Sequence, residues 1–237
     1  MRIAFNSRTP ALVTAAFAAL LVVPSGVARK GKVPADLSEI LDHMSKASKD
    51  LKTVAANLEY TKVTVVVNDK SIETGELFFH KGKSTEIKIN FQKPDNKIIL
   101  FKKNKAEIYF PKINQVQEFD LGQKTDLVQQ FLLLGFGSDV GELKKAYNIK
   151  YLQEEDVDGE TTALLELSPR KQNVAAQLVK IQIWISEDSW LPAQQKFFES
   201  DGDYLIARYT GMKVNRPLPG SKFELGAPES AKRVKMN

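Results

Sequence analysis

The 237-residue chain contains no cysteine. That absence removes disulfides, thiolate nucleophiles and thiolate metal sites together, so the fold must be held by burial and strand pairing. Histidine is nearly missing as well, with only His43 and His80, which takes away the usual general base and the commonest metal ligand. There is no block of like charge: lysines alternate with Glu and Asp along most of the chain, and the net charge of +5 is not the footprint of a nucleic-acid-binding protein. No apolar run reaches the ~20 residues a membrane-spanning helix needs.

The run that comes nearest, Ala11–Val23, follows Arg2 and Arg8 and leads into Pro24-Ser25-Gly26-Val27-Ala28. A basic start, a short apolar stretch and small residues at −3 and −1 (Gly26, Ala28) read as a secretory signal peptide over residues 1–28. The expected mature chain begins near Arg29 outside the cytoplasm. Without a Cys after the run it carries no lipid anchor of its own. Residues 29–237 are read as a single domain, long enough for one large all-β fold.

Within that domain Arg29–Ala35 is a polar linker. Asp36 and Glu39 form a capping-box pattern, and Leu37, Ile40, Leu41, Met44, Ala47, Ser48, Leu51 and Val54 recur at helical spacing, which predicts one amphipathic helix with His43 on its wet side. The period then changes to two. Leu58 and Tyr60 begin a strand that Val63, Val65 and Val67 continue, and Asn68-Asp69-Lys70 turns the chain. Segments at Gly75–Phe79, Ile87–Phe91, Ile98–Phe101, Glu107–Phe110 and Val116–Phe119 follow at meander spacing, with no helical crossover, which excludes a parallel sheet. Asp126 can cap a short helix ending at Leu134, stopped by Gly135, and Ser138 can cap a second over Asp139–Ala146. Strands resume at Asn148–Gln153, Thr162–Leu167, Leu178–Ile185, Pro192–Glu199, Tyr204–Tyr209 and Met212–Val214. Phe223-Glu224-Leu225 reads as a last edge segment and Ala231–Asn237 as a basic tail. The count is about eleven strands.

Little in this order carries reaction chemistry. Gly135-Phe136-Gly137 follows a helix instead of a strand and lacks a following Lys-Ser/Thr, so it reads as a helix stop rather than a phosphate loop. Glu154–Glu160 is acidic but lacks the spacing of a calcium loop, and Asp201-Gly202-Asp203 fits a hairpin turn. His80 closes a strand with no second His or acid at ligand spacing. No nucleophile, base and oxyanion site assemble, so neither an enzyme nor a metal or cofactor site is expected.

The excess is apolar. Leu77, Phe79, Ile87, Ile89, Phe91, Ile99, Phe101, Ile108 and Phe110 put many large side chains on one meander, and the insertion Phe131-Leu132-Leu133-Leu134-Gly135-Phe136 is apolar nearly all round. Two readings stand. These residues fill a core between sheet and helices, or a curved sheet and its helices enclose a cavity for a lipid-like ligand.

In order and spacing the chain resembles the LolA-type periplasmic carriers of outer-membrane lipoproteins. The resemblance runs from the signal peptide and first helix through Gly75-Glu76-Leu77-Phe78-Phe79-His80-Lys81-Gly82, Ile87–Phe91 and Lys93-Pro94-Asp95. It continues through Ala106–Pro111, the Gln-rich Asn114–Glu118, the apolar insertion, Tyr147-Asn148-Ile149-Lys150 and Leu165-Glu166-Leu167-Ser168-Pro169 to the hairpin around Ser200–Asp203. It covers nearly all of the mature chain; each motif alone is weak and the order carries it.

The resemblance implies a mainly β fold, a strongly curved antiparallel sheet forming an incomplete half-barrel lidded by the N-terminal helix and the mid-chain insertion. It implies a non-enzymatic, monomeric periplasmic carrier that shields lipoprotein acyl chains between an inner-membrane ATP-driven extractor and an outer-membrane acceptor. The alternative is a lipid- or lipoprotein-sensing regulatory module of the same fold. The residues expected to face the cavity or lid are Leu58, Tyr60, Leu77, Phe79, Lys81, Ile87, Ile89, Phe91, Ile99, Phe101, Ile108, Phe110, Phe131, Leu132, Leu134, Phe136, Leu165, Leu167, Ile181 and Ile183. One position departs from the family pattern. An Arg-Pro that holds the empty lid shut is replaced here by Lys81-Gly82, and lysine brings a point charge without the planar fork.

Overall fold

The structure is a computed structural model describing residues 36–122, 134–137 and 139–236. The expected signal peptide, the linker, the cap Asp126 and residues 127–133 of the helix expected to end at Leu134, the cap Ser138 and the candidates Phe131 and Leu132 lie outside the described residues.

The elements run α1 (Leu37–Asp50), β1 (Thr53–Thr64), β2 (Asp69–Lys81), β3 (Thr85–Lys93), β4 (Lys97–Lys102), β5 (Lys105–Phe110) and β6 (Gln115–Asp120). After these come α2 (Val140–Ala146), β7 (Tyr147–Val157), β8 (Glu160–Pro169), α3 (Gln172–Ala175), β9 (Leu178–Ser186), β10 (Pro192–Glu199), β11 (Tyr204–Val214) and β12 (Lys232–Met236). All these strands join one sheet in the order β12-β6-β5-β4-β3-β2-β1-β11-β10-β9-β8-β7. Its two ends do not pair with each other, so it is an open, curved half-barrel. Meander neighbours pair antiparallel, and β1 closes the two meanders by pairing with both β2 and β11.

Local chemistry accounts for the shape. The Asp36 carboxylate accepts the Glu39 N–H at 3.0 Å and starts α1, whose stripe Ile40, Leu41, Met44 and Ser48 is buried. At Gly75 the β2–β3 register slips. A Cβ there would stand 2.1 Å from the Asn90 carbonyl oxygen, so only glycine allows the close approach that lets this pair of strands coil.

Among the described residues the core falls into three clusters. One lies under α1 and α2 and takes Leu165, Leu167, Ile181, Ile183 and Ile185 from β8 and β9. The second joins Leu51, Val54, Leu58, Leu77, Phe79, Ile87, Ile89 and Phe91 to Tyr209. Leu134 belongs to the first and Phe136 to the second, so a short segment with alternate side chains stitches them together. The third, Leu100, Tyr109, Val116, Leu225 and Ala231, lies on the opposite face of β4–β6, under the chain that follows β11.

Several expectations are corrected. The first strand starts at Thr53 and ends at Thr64; Val65, Val66 and Val67 are 50%, 85% and 69% exposed. Asp203 takes the Val65 N–H at 2.9 Å and Asn68 adopts a left-handed φ of 49°, which together turn the chain before alternation can continue. Met212–Val214 is the end of β11 rather than a separate strand. Phe223–Leu225 is no edge strand: a 3-10 turn over Gly220–Phe223 drops Phe223 and Leu225 onto the outer face of the sheet. The basic tail is β12, and it pairs parallel with β6, so the sheet is not wholly antiparallel. The connection from Val214 is long enough for the crossover that parallel pairing requires. Arg233 is neutralised by Glu107 at 2.9 Å and Glu118 at 2.6 Å. The cap of α2 is Asp139, whose carboxylate accepts the Glu142 N–H at 3.0 Å, and the one-turn α3 carries no apolar period to reveal it. His80 does face an acid, Glu86, at 3.2 Å across the β2–β3 hairpin. His43 stacks on Trp190 with ring centroids 4.1 Å apart, so it is not merely solvated.

Candidate ligand-binding cavity

The concave face of the sheet holds a cavity of about 370 Å³ between β1–β4 and β10–β11, within the range of small-molecule sites. Its wall is built by alternation. Leu58 and Tyr60 of β1, Leu77 of β2, Ile89 and Phe91 of β3, and Ile99 and Phe101 of β4 all point inward. From the other side come Phe197 of β10 and Leu205, Ala207 and Tyr209 of β11. A hollow elsewhere, among Lys102, Asn104, Lys105 and Asp120, is walled by polar residues.

Two polar groupings break the apolar wall. On the floor Tyr209 donates its phenol proton to Gln195 Oε1 at 2.7 Å, and Gln195 Nε2 donates to the Leu134 carbonyl. Gln195 is 1% exposed, yet both ends of its amide are used. Phe136 meets Tyr209 edge-on with centroids 4.9 Å apart. Burial, then the neighbouring Tyr60, pushes the Tyr209 phenol far above its ordinary value. At the end of the cavity nearest the β1–β2 turn, Lys97 Nζ bonds both Glu73 carboxylate oxygens, at 2.7 and 2.9 Å. It also lies 4.6 Å from the Phe91 ring centre. Tyr60 stands beside them, its phenol pushed up to about 12 by burial first and then by Glu73 and Glu199.

The remaining sequence candidates take other places. Phe79 and Ile87 are buried beyond the cavity, toward the C-terminal end of α1. Lys81 stands past them, its Nζ donating to the Ser48 carbonyl of α1 at 3.0 Å. Ile108 and Phe110 are half-buried on β5. Leu134 and Phe136 are 0% and 1% exposed and plug the space between the first two core clusters. Leu165, Leu167, Ile181 and Ile183 pack under the helices. Glu73, Lys97, Gln195, Phe197, Leu205, Ala207 and Tyr209 were not among the candidates. The alternation of Gln195 with Phe197, and of Leu205, Ala207 and Tyr209, was the available signal; nothing in the sequence marks Glu73 and Lys97 as a pair.

A family model described as "Uncharacterized protein"-like matches residues 89–217, more than half of the chain, and the chain belongs to that family. An uncharacterized protein of Methanocaldococcus jannaschii is 27% identical over 154 residues, 62% of this chain and 42% of that one; the chain thus spans less than half of that relative. Among solved structures, MucB superposes with a TM-score of 0.55 at 15% identity, covering 82% of this chain and 64% of MucB. An uncharacterized conserved protein from Thermus thermophilus does so with a TM-score of 0.54 at 13% identity, covering 84% and 98%. The MucA/MucB complex of Pseudomonas aeruginosa gives 0.50 at 14% identity, covering 80% and 61%. At these identities the likeness to MucB and to the Thermus thermophilus protein is one of fold alone.

Proposed function

We propose that the protein is a non-enzymatic periplasmic carrier that shields the acyl chains of lipoproteins, or of a similar amphiphile, on their way from the inner to the outer membrane. The observation that carries this reading is the apolar cavity of about 370 Å³ on the concave face of the sheet. Each acyl methylene buried there is worth about 0.8 kcal/mol, so loading needs no chemistry and release needs an acceptor offering equal burial. An ATP-driven extractor and an outer-membrane acceptor are the partners such a cycle requires. Lys81 acts as the lid latch. Its ammonium at the carbonyl end of α1 also suits the helix dipole, and its long stem can lie along apolar surface.

The alternative is a sensing module that binds the same ligand to signal its presence, which the fold shared with MucB, solved in complex with MucA, favours. Native mass spectrometry of the exported protein tests the common ground. Co-purified lipid or acylated peptide supports binding, and a protein that stays empty in the presence of acylated cargo defeats both readings. Delivery of that cargo to acceptor vesicles separates carrier from sensor.

A further inference from the structure

Resting on the reading of the cavity as an acyl-chain site, we infer that the Glu73–Lys97 pair at its mouth is a headgroup site selective for zwitterionic amphiphiles. The two side chains are 26% and 23% exposed, and both line the cavity. A partly buried ion pair adds little net stability, and apolar residues would serve a purely apolar wall as well or better. The polar floor offers no competing seat, because Gln195 and Tyr209 satisfy each other and the Leu134 carbonyl. A ligand's polar end therefore has its place at the mouth.

Along β4 the span from Lys97 to Phe101 is about 13 Å at the strand rise. That accommodates roughly ten methylenes of an extended chain with bonds of about 1.5 Å, head at Lys97 and tail against Phe101.

Charge balance chooses the headgroup. The wall supplies one cation, Lys97, and one anion, Glu73. A lone anion would be drawn to Lys97 but repelled by Glu73. A lone cation would be drawn to Glu73 but repelled by Lys97 in the place over the Phe91 ring where a cation is best held. A headgroup with both charges replaces each partner of the pair as it opens, leaving no charge unpaired, and the Tyr60 hydroxyl can donate to its anionic oxygen.

The test is displacement of the uncharged probe N-phenyl-naphthylamine by four ligands sharing one tail: dodecylphosphocholine, dodecyl phosphate, dodecyltrimethylammonium and dodecanol, all below micelle-forming concentration. The expected result is that dodecylphosphocholine binds about tenfold more tightly than either singly charged ligand. Lys97→Met should abolish its advantage over dodecyltrimethylammonium, and Glu73→Gln its advantage over dodecyl phosphate, with dodecanol unchanged in both. Equal affinities across headgroups, or a uniform loss in the variants, would overturn the headgroup site while leaving the cavity intact. If dodecanol itself does not bind the native protein, the acyl-chain reading falls and the headgroup site with it.

Discussion

Gln195 and Tyr209 form a closed polar contact on the floor of an apolar cavity: the phenol donates to the amide oxygen at 2.7 Å, and the amide nitrogen holds the backbone of Leu134. The pair fastens the plug to the sheet, since Leu134 and Phe136 then drop into separate core clusters. Gly135 between them has φ 85°. A Cβ there would come within 2.4 Å of the Pro192 ring, so the plug admits no other residue at that point.

Replacing Gln195 by Leu leaves a buried carbonyl and a buried phenol without partners. The expected cost is about 1–3 kcal/mol, read from urea unfolding at constant m-value. A loss below about 0.5 kcal/mol, within the range of neutral surface changes, would mean the plug is held by apolar contact alone.

If Lys81 is the latch proposed above, Lys81→Leu, which adds apolar surface and removes the bond to the Ser48 carbonyl, shifts the balance away from the empty closed state. It should retain or tighten acylated cargo and slow its transfer to acceptor vesicles. Lys81→Arg, with more directed donors, should match the native protein or close better. Three superimposable transfer curves would make Lys81 a bystander.

Ala207→Phe fills the cavity from β11. It should lower affinity for a fluorescent fatty-acid probe at least tenfold, at an overpacking cost of about 1–3 kcal/mol. Leu165→Ala, in the cluster under the helices, is the contrast: about 2–5 kcal/mol of stability lost with probe affinity unchanged in the folded fraction. Equal effects on binding from both would deny that the cavity is the site.

Glu86 sits between His80 at 3.2 Å and Lys102 at 2.7 Å. Burial alone would raise its carboxyl, but the hydrogen bonds from Lys102 and His80 outweigh it and hold the group below its ordinary value. A depressed carboxyl stabilises the fold fully above its unfolded pKa of about 4.3 and loses that contribution as pH falls through the lower folded value. Glu86→Gln should therefore be less stable than the native protein at pH 7, with the gap closing below about pH 4. A gap that persists at pH 2 would show that packing, not charge, is responsible.

Much of the architecture was legible because strand alternation is a local property. Leu77, Ile89, Phe91, Ile99 and Phe101 announce one apolar face whatever lies opposite. The order of segments likewise carried the half-barrel, since a meander needs only short turns. The β12 strand was not legible: backbone pairing needs no apolar period, and the neutralisation of Arg233 by Glu107 and Glu118 joins residues more than a hundred positions apart.

The sequence by itself determined which residues must leave water, where α1, α2 and most strands lie, and that no thiol is present. It did not divide the apolar residues between core and cavity. Leu165 and Leu77 share the same periodicity, but the first lies beneath α1 and α2 while the second faces open space, and only the curvature of the sheet and the seating of the helices decide which. The tertiary structure also decided the polar sites. Glu73 meets Lys97, and Gln195 reaches Leu134, because strands distant in sequence converge on one concave face, and the energy of such contacts depends on that convergence.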